Sequence, residues 1–183
     1  MRKNFGVKPW VYPQPVLIIG TYDADGNPDA MNAAWGGQYD SNLVMLCLGS
    51  HKTTDNIKLK GAFTVSFATA GTVVASDYVG IVSANDDPEK MNKSGFTTTR
   101  SEFVDAPVIN ELPLTLECKL LKFNEDGIVI GEIVNISADE SILTDGNVDA
   151  VKLDAIIFDP MNAAYLRLGE KVGNAFRDGA KLK

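Results

Sequence analysis

The chain has 183 residues, of which 45% are hydrophobic and 22% charged, and its formal net charge is −7. This length fits a single domain over residues 1–183 with the composition of a soluble globular protein, and no apolar run is long enough to cross a membrane. The acidic balance argues against a nucleic-acid partner, because proteins of that class display basic surfaces. The first ten residues lack the apolar stretch of a secretory signal, so we expect a cytoplasmic protein.

The first predicted elements are two strands joined by a turn. Residues 16–22 form an apolar run, and residues 23–28, with the sequence DADGNP, carry a dense turn signal. The returning segment, residues 29–37, alternates between two faces, one of which carries the small residues Ala30 and Ala34. Two interpretations stay open for this face: it packs against a neighbouring sheet, or it leaves room for a flat ligand.

The next element is a strand that leads into a helix. Six apolar residues, Leu43–Leu48, predict a strand buried on both faces, or nearly so. Residues 49–54 are small, hydroxyl-bearing or cationic. A helix is predicted to begin here with Thr53 or Thr54 as its N-cap. Because a helix N-terminus and Lys52 both attract anions, a phosphate could bind at this point. The alternative is that a threonine only caps the helix while the lysine is solvated.

The rest of the chain supplies further strand and helix signals. A strand is predicted over 62–68 and a helix over 71–82. A short capped helix follows, with Pro88 at its first position and Gly95 after its end, and then an irregular connection over 97–111. The last elements are a hairpin of 114–123 with 127–136 and a strand over 163–168. About six strands with short helices between them predict a mainly antiparallel barrel.

The residues alone form no familiar catalytic set. His51 is the only histidine and has no triad partner beside it, and neither a phosphate-binding loop nor a dinucleotide fingerprint is present. One histidine and two cysteines do not favour a metal centre, so no metal is expected. Asp86, Asp87 and Glu89 allow two interpretations, a divalent-cation site or the acidic start of a helix.

Six segments, taken in order, carry a family resemblance. They are PVLIIGTYDADGNPDAMNAAWGG from residue 15, LGSHKTTDNI from residue 48, SDYVGIVS from residue 76, ELPLTLECKL from residue 111, IGEIV from residue 130 and YLRLGEKVGNAF from residue 165. Together they resemble the FMN-binding split barrels of the flavin reductase-like family, and among these the flavoredoxin-like proteins. The resemblance implies a mainly β fold with short helices, a six-stranded antiparallel Greek-key split barrel. It also implies a homodimer that holds FMN noncovalently near the subunit interface.

The resemblance further implies which residues contact the cofactor. The candidates are Asn32, Ala33, Ala34, Trp35 and Gly36 along the flavin ring, Ser50, His51, Lys52, Thr53, Thr54 and Asn56 at its phosphate, and Ser83, Lys90 and Tyr165 as further contacts to the flavin or the partner chain. The implied phosphate position coincides with the anion site that the strand-to-helix junction suggests.

Two main functions are compatible with this resemblance, and a third, weaker option is a non-catalytic FMN-binding protein. The first is an NAD(P)H-dependent flavin reductase, an enzyme that passes a hydride to flavin N5 and then electrons to a flavin or a redox-protein acceptor. The alternative is a flavoredoxin-like electron carrier, which exchanges electrons with a protein partner without using NAD(P)H. Neither function requires a catalytic side chain, since the flavin carries the chemistry, and none is predicted.

Overall fold

An antiparallel sheet forms the centre of the computed structural model, which describes residues 1–183. The strands are β1 (Gln14–Pro15), β2 (Leu17–Tyr22), β3 (Pro28–Ala33), β4 (Gly36–Asp40), β5 (Leu43–Cys47), β6 (Ala62–Phe67), β7 (Thr98–Arg100), β8 (Pro107–Ile109), β9 (Leu114–Phe123), β10 (Ile128–Ala138), β11 (Leu143–Thr144), β12 (Asn147–Val148), β13 (Ile156–Asp159) and β14 (Ala164–Arg167). The helices are α1 (Lys52–Lys60), α2 (Val73–Ile81), α3 (Lys90–Ser94) and α4 (Ala150–Leu153), with 3-10 turns at Ala70–Thr72, Glu140–Ile142 and Asp178–Leu182.

Seven strands form the main sheet, in the order β3-β2-β6-β9-β10-β5-β4, and every neighbouring pair is antiparallel. Its two edge strands, β3 and β4, are consecutive in the chain, with only Ala34 and Trp35 between them. Two residues span about 7 Å at most, so the sheet has to curl until its edges meet. We call the Ala34–Trp35 junction the seam.

The mainly β split-barrel fold is therefore confirmed, but the number of strands differs from the expected six. The segment 29–37, predicted as one strand, contains the end of one strand and the start of another. Its first part, in β3, pairs with β2, whereas its last residues, in β4, pair with β5. The break lies at the seam, where the carbonyl oxygen of Trp35 accepts a hydrogen bond from the backbone N–H of Cys47 at 2.7 Å.

Two hydrophobic clusters fill the two sides of the sheet. The inner cluster consists of Leu17, Ile19, Ala33, Val44, Leu46, Leu48, Ile57, Phe63, Val65, Cys118 and Val129. The outer cluster, which includes a residue of α2, consists of Val16, Ile18, Ala30, Ala68, Val79, Phe96, Ile109, Leu112 and Ile156. All six residues of β2 are buried. In β5, Val44 and Leu46 are buried and Leu43, Met45 and Cys47 are half-buried. One face of this strand therefore meets the core, and the other is covered only in part, less than the predicted burial.

Helix α1 begins earlier than predicted. Its N-cap is His51 rather than Thr53 or Thr54. Thr54 stands at the third helical position, and its Oγ1 reaches back to accept a hydrogen bond from the backbone N–H of His51 at 2.9 Å. The helix ends at Gly61, whose φ of 64° lies in the left-handed region that glycine tolerates.

The other predicted elements lie close to their expected positions. Helix α2, the β9–β10 hairpin and β14 fall within the predicted ranges or extend them slightly, and α3 ends before Gly95 but begins two residues after Pro88. Four strand pairings were not predicted. They are β7 with β8 inside the connection 97–111, β11 with β12, and β13 with both β1 and β14 in a separate sheet. None of the helices has the length and apolar character that a membrane crossing requires.

The inner face of β3 can be tested through its alanines. Ala33 is 7% exposed and packs in the inner cluster, so Ala33→Leu should overfill the core and lower the free energy of unfolding by about 1–3 kcal/mol. Ala34→Leu is the matched control, because Ala34 is half-buried outside both clusters, and we expect it to change stability by less than about 0.5 kcal/mol. Thermal unfolding followed by circular dichroism compares the two, and equal melting temperatures would contradict this orientation of β3.

Candidate functional site

A groove runs beside the edge strand β3, between this strand and α2. Its first part is a cavity of about 230 Å³, and its second part is a cavity of about 260 Å³. Gly80 and Ile81 line both cavities, so the two lie side by side along α2. We call the first part the anion end and the second part the tyrosine end. A Cβ atom at residue 80 would lie 2.8 Å from the Cβ of Asn32, so only glycine lets α2 approach β3 this closely.

The anion end is built on the N-terminus of α1. The backbone N–H groups of Thr54 and Asp55 both donate to the carbonyl oxygen of His51, at 3.1 and 3.2 Å. The N–H groups of Lys52 and Thr53, at the first two helical positions, have no partner within the helix. The macrodipole and these two donors favour an anion at this end of the groove.

Lys52 adds a positive charge to the anion end and lies close to Asp23. The Nζ of Lys52 is 3.7 Å from Oδ2 of Asp23. Burial favours the neutral form of Asp23 and by itself would raise the pKa of this carboxyl group. Stronger opposing effects lower the pKa overall. They are hydrogen bonds from the backbone N–H groups of Asn27 and Asp25, a hydrogen bond from the Asn27 side chain, and the charge of Lys52. Lys52 is thus a partly exposed cation whose charge is only loosely matched.

A buried carboxylate, Asp29, connects three elements at the same end. The Nζ of Lys90, in α3, lies 3.1 Å from Oδ1 of Asp29, in β3. The hydroxyl of Thr53, in α1, donates to Oδ2 of the same side chain at 3.0 Å. Asp29 was not among the predicted residues. The available signal was an acidic residue at the start of a returning segment that is otherwise small or apolar.

The tyrosine end is held by a hydrogen bond between two distant elements. The hydroxyl of Tyr165, in β14, donates to Oδ1 of Asp77, in α2, at 2.7 Å. Burial and the neighbouring Asp77 carboxylate raise the pKa of Tyr165 to about 12. The amide nitrogen of Asn32 donates to the carbonyl oxygen of Ser76 at 3.0 Å, which fixes β3 to the same helix.

The structure brings eight of the predicted contact residues to the groove. They are His51, Lys52, Thr53, Ser83 and Lys90 at the anion end, and Asn32, Ala34 and Tyr165 at the tyrosine end. These residues come from α1 and its N-cap, α3, β3 and β14, from the seam and from the loop after α2, so the groove is a product of the fold and not of one segment.

The other six candidates do not present side chains to the groove. Ala33 packs in the inner cluster, and Asn56 is buried with its amide nitrogen donating to Oγ1 of Thr21 at 3.1 Å. The hydroxyl of Thr54 is used by the helix start. For Ala33, Thr54 and Asn56, any contact with a ligand would have to come from the backbone, because their side chains face the protein interior. The remaining three are Ser50, which is exposed before α1, and Trp35 and Gly36, which lie at the seam and the start of β4.

Among the acidic residues before α3, Asp87 makes its contacts within the same short segment. Asp87 accepts a hydrogen bond from the backbone N–H of Glu89 at 3.1 Å and pairs with Lys93 at 2.7 Å. The hydrogen bond from Lys93 lowers the pKa of Asp87. Of the two interpretations of this cluster, these contacts favour the acidic start of a helix.

Comparison with known proteins gives matches over most of the chain. Residues 11–152 match the family model described as "Flavin reductase like domain". Flavoredoxin of Desulfovibrio vulgaris (Miyazaki F) superposes with a TM-score of 0.94 at 37% identity, covering 98% of this chain and 100% of that one. Flavoredoxin from Methanosarcina acetivorans gives a TM-score of 0.89 at 26% identity, with 100% of both chains covered.

A more distant structure extends the likeness of the fold. The FMN-binding domain of a flavin reductases-like enzyme from Shewanella baltica OS155 gives a TM-score of 0.78 at 21% identity, covering 88% of this chain and 89% of that one. A search of curated proteins returned no match.

Tyr165 gives the tyrosine end a measurable alkaline signature. Its pKa is about 12 in the folded chain and 10.0 for the free side chain, so the folded chain keeps this proton in a pH range where the unfolded chain loses it. The stability that this group contributes is therefore fully present below pH 10 and is lost as the pH rises toward 12. Denaturant unfolding measured below, within and above this window should show a weaker pH dependence for Tyr165→Phe than for the wild type.

Tyr39→Phe is the control, because Tyr39 is an exposed tyrosine on the edge strand β4. It should reproduce the wild-type dependence. If Tyr165→Phe also reproduced it, the hydrogen bond to Asp77 would not hold the phenol in its neutral form.

Proposed function

The chain belongs to the flavin reductase-like family, as its matched segments predicted, and on that premise we propose that it binds FMN in the groove beside β3. The observation that carries the proposal is the pairing of a cationic helix N-terminus at one end of the groove with small residues at the other. FMN-binding proteins among the structures of this fold support the choice of cofactor.

The residues of the groove fit the two chemical parts of FMN. At the anion end, the backbone N–H groups of Lys52 and Thr53 and the Nζ atoms of Lys52 and Lys90 would hold the phosphate. At the tyrosine end, Ala34 and Gly80 leave space for a flat ring beside Tyr165. When bound, FMN supplies the redox chemistry by accepting a hydride or electrons. The chain would bind and orient it and exclude water from one side.

The function that we propose first is an NAD(P)H-dependent flavin reductase, an oxidoreductase that passes a hydride to flavin N5. The family description supports it. The absence of a nucleophile–base pair in the groove is compatible with it, since hydride transfer needs no side-chain acid or base. His51, at the N-cap of α1, belongs to the anion end in this proposal and is not a catalytic residue.

A second candidate function is an electron carrier that exchanges electrons with a protein partner. Two observations favour it. Two of the similar structures, at 37% and 26% identity, are flavoredoxins. The net charge of −7 also suits docking to a basic partner.

We extend the proposal to a homodimer with the flavin near the subunit interface. Large apolar side chains support it, because they are exposed on the single chain and would be buried by a second copy. Trp35 at the seam is 58% exposed and Tyr39 on β4 is 56% exposed, while Val172 and Phe176 in the C-terminal segment are fully exposed.

The cytoplasm remains the proposed location. Cys47 and Cys118 are both free thiols. Structural disulfides are typical of oxidising compartments, so two unpaired cysteines support this proposal. Burial, with the charge of Glu117 as a smaller contribution, raises the pKa of Cys118 to about 12, so this thiol stays protonated.

The phosphate contact can be tested by comparing two flavins. Lys52→Ala should weaken FMN binding by about tenfold or more, because it removes a charge-assisted contact with the phosphate. Riboflavin, which lacks the phosphate, should bind the variant as it binds the wild type. Isothermal titration calorimetry measures both affinities.

Lys58→Ala provides the matched control, since it removes the same charge from the exposed last turn of the same helix. It should leave both affinities unchanged. An unchanged FMN affinity in Lys52→Ala would place the phosphate elsewhere.

The two candidate functions differ in their response to nicotinamides. The FMN-loaded protein is mixed anaerobically with NADH and, separately, with NADPH, and the absorbance of the flavin is followed in time. We expect rapid bleaching by at least one of them. If neither bleaches a flavin that dithionite still reduces, the reductase proposal is wrong and the electron carrier is favoured. If the protein cannot be loaded with FMN, both functions fail.

A further inference from the structure

The anion end of the groove contains a negative charge of its own. Asp29 is 2% exposed, yet it lines the same cavity as His51, Lys52 and Thr53. A buried carboxylate is costly unless cations or hydrogen-bond donors compensate it. Here the compensation comes from Lys90, at 3.1 Å and 3% exposed, and from the Thr53 hydroxyl at 3.0 Å. The proposed phosphate site thus contains a carboxylate that already accepts hydrogen bonds from Lys90 and Thr53.

The charges at this end are balanced within the chain. Lys90 is matched by Asp29, and Lys52 lies 3.7 Å from Asp23. The side-chain charges of these two lysines and two aspartates sum to zero, so a phosphate dianion is attracted mainly by the loosely paired Lys52 and the N-terminus of α1. Every buried side-chain nitrogen and oxygen has a hydrogen-bond partner, so the Lys90 ammonium and the Thr53 hydroxyl are already satisfied by Asp29, whereas the backbone N–H groups of Lys52 and Thr53 have no partner within the helix.

We propose that Asp29 determines the affinity of the groove for a phosphate group, acting as an internal anion that competes with the phosphate for Lys90 and Thr53. This inference rests on the proposed FMN site. The pair of Asp29 with Lys90 is more than nine-tenths buried, so solvent screens it little, and its charges act strongly on a neighbouring anion. The pair of Asp23 with Lys52 is more exposed and is screened more.

The competition has a functional consequence for the bound flavin. A phosphate in the anion end gains the attraction of Lys90 only in part, because Asp29 already holds this ammonium and repels the phosphate. The affinity for FMN is then lower than it would be at a site whose two lysines had no aspartate beside them. Asp29 thus sets how much of the Lys90 charge is available to a phosphate.

The variant Asp29→Asn isolates the charge of this residue. Asparagine keeps the size of the side chain and an oxygen that can accept from the Thr53 hydroxyl, but it leaves Lys90 without its buried counter-ion. The phosphate then becomes the partner of Lys90. We expect the FMN affinity to rise by about tenfold or more, and the riboflavin affinity to stay within about twofold.

Asp55→Asn is the matched control. It removes the same charge from an exposed position in the first turn of α1, where solvent screens it. Its FMN affinity should stay within about twofold of the wild type. In the double variant Asp29→Asn/Lys90→Gln, the competitor and the cation that it competes for are both absent, so the rise in FMN affinity should disappear.

Calorimetric titration of each variant with FMN and with riboflavin tests whether Asp29 competes with the phosphate. An FMN affinity that falls or stays unchanged in Asp29→Asn would overturn the competition, since Asp29 would then only hold its neighbours in place. An equal rise for riboflavin would also overturn it, because no phosphate is involved. If Asp29→Asn does not fold, the double variant is compared with Lys90→Gln alone. Competition predicts a higher FMN affinity in the double variant, because it lacks the repelling carboxylate, and equal affinities would overturn it.

Inorganic phosphate separates this inference from the proposed function. It should raise the melting temperature of Asp29→Asn more than that of the wild type, and equal shifts would overturn the role of Asp29. If the wild type bound neither FMN nor riboflavin, the proposed function would fail, while the comparison with inorganic phosphate would still test the charge competition at the anion end.

Discussion

The two-residue link at the seam is the constraint on which the architecture depends. Ala34 and Trp35 connect β3 and β4, which lie at opposite ends of the sheet order, so the sheet must curl to bring these strands together. The same link leaves β3 with one hydrogen-bonded neighbour, β2, and an open second edge. The groove follows this open edge, and α2 covers it at the distance that Gly80 permits. The free backbone groups of an edge strand are suited to hydrogen-bonding a ligand. Fold and site are therefore consequences of one short connection.

Local patterns were sufficient for most of the secondary structure, because alternation, turn residues and helix caps are properties of neighbouring residues. These patterns did not predict the bounds of a strand where those bounds depend on which other strand it pairs with. The alternation of DAMNAAWGG continues through the seam, so nothing local shows that its two halves pair with β2 and β5. The start of α1 was misplaced for a related reason. A threonine hydroxyl can serve a helix from the N-cap or from the third position, and Thr54 does the latter.

The site was predictable to the extent that it is local. The strand-to-helix junction and the family resemblance both indicate the segment around Lys52. Asp29 was not found, and Asp77 lies in a matched segment but was not assigned to the site. Asp29 is 61 residues from Lys90, and Asp77 is 88 residues from Tyr165. No spacing rule connects residues so far apart, and only the fold brings them together. Which candidates turn inward, as Ala33 does, likewise depends on the curl of the sheet and not on residue type.

The two cysteines differ in a way that follows from their places in the sheet. Cys118 lies in the inner cluster with no exposed surface and a pKa of about 12, so almost none of it is thiolate near neutral pH. Cys47 is only half-buried, and its backbone is hydrogen-bonded to Trp35 at the seam. A thiol-directed fluorophore or spin label therefore has one accessible attachment point in the natural sequence. That point lies where the two edges of the sheet meet, so the chain carries a built-in position for spectroscopic observation of barrel opening.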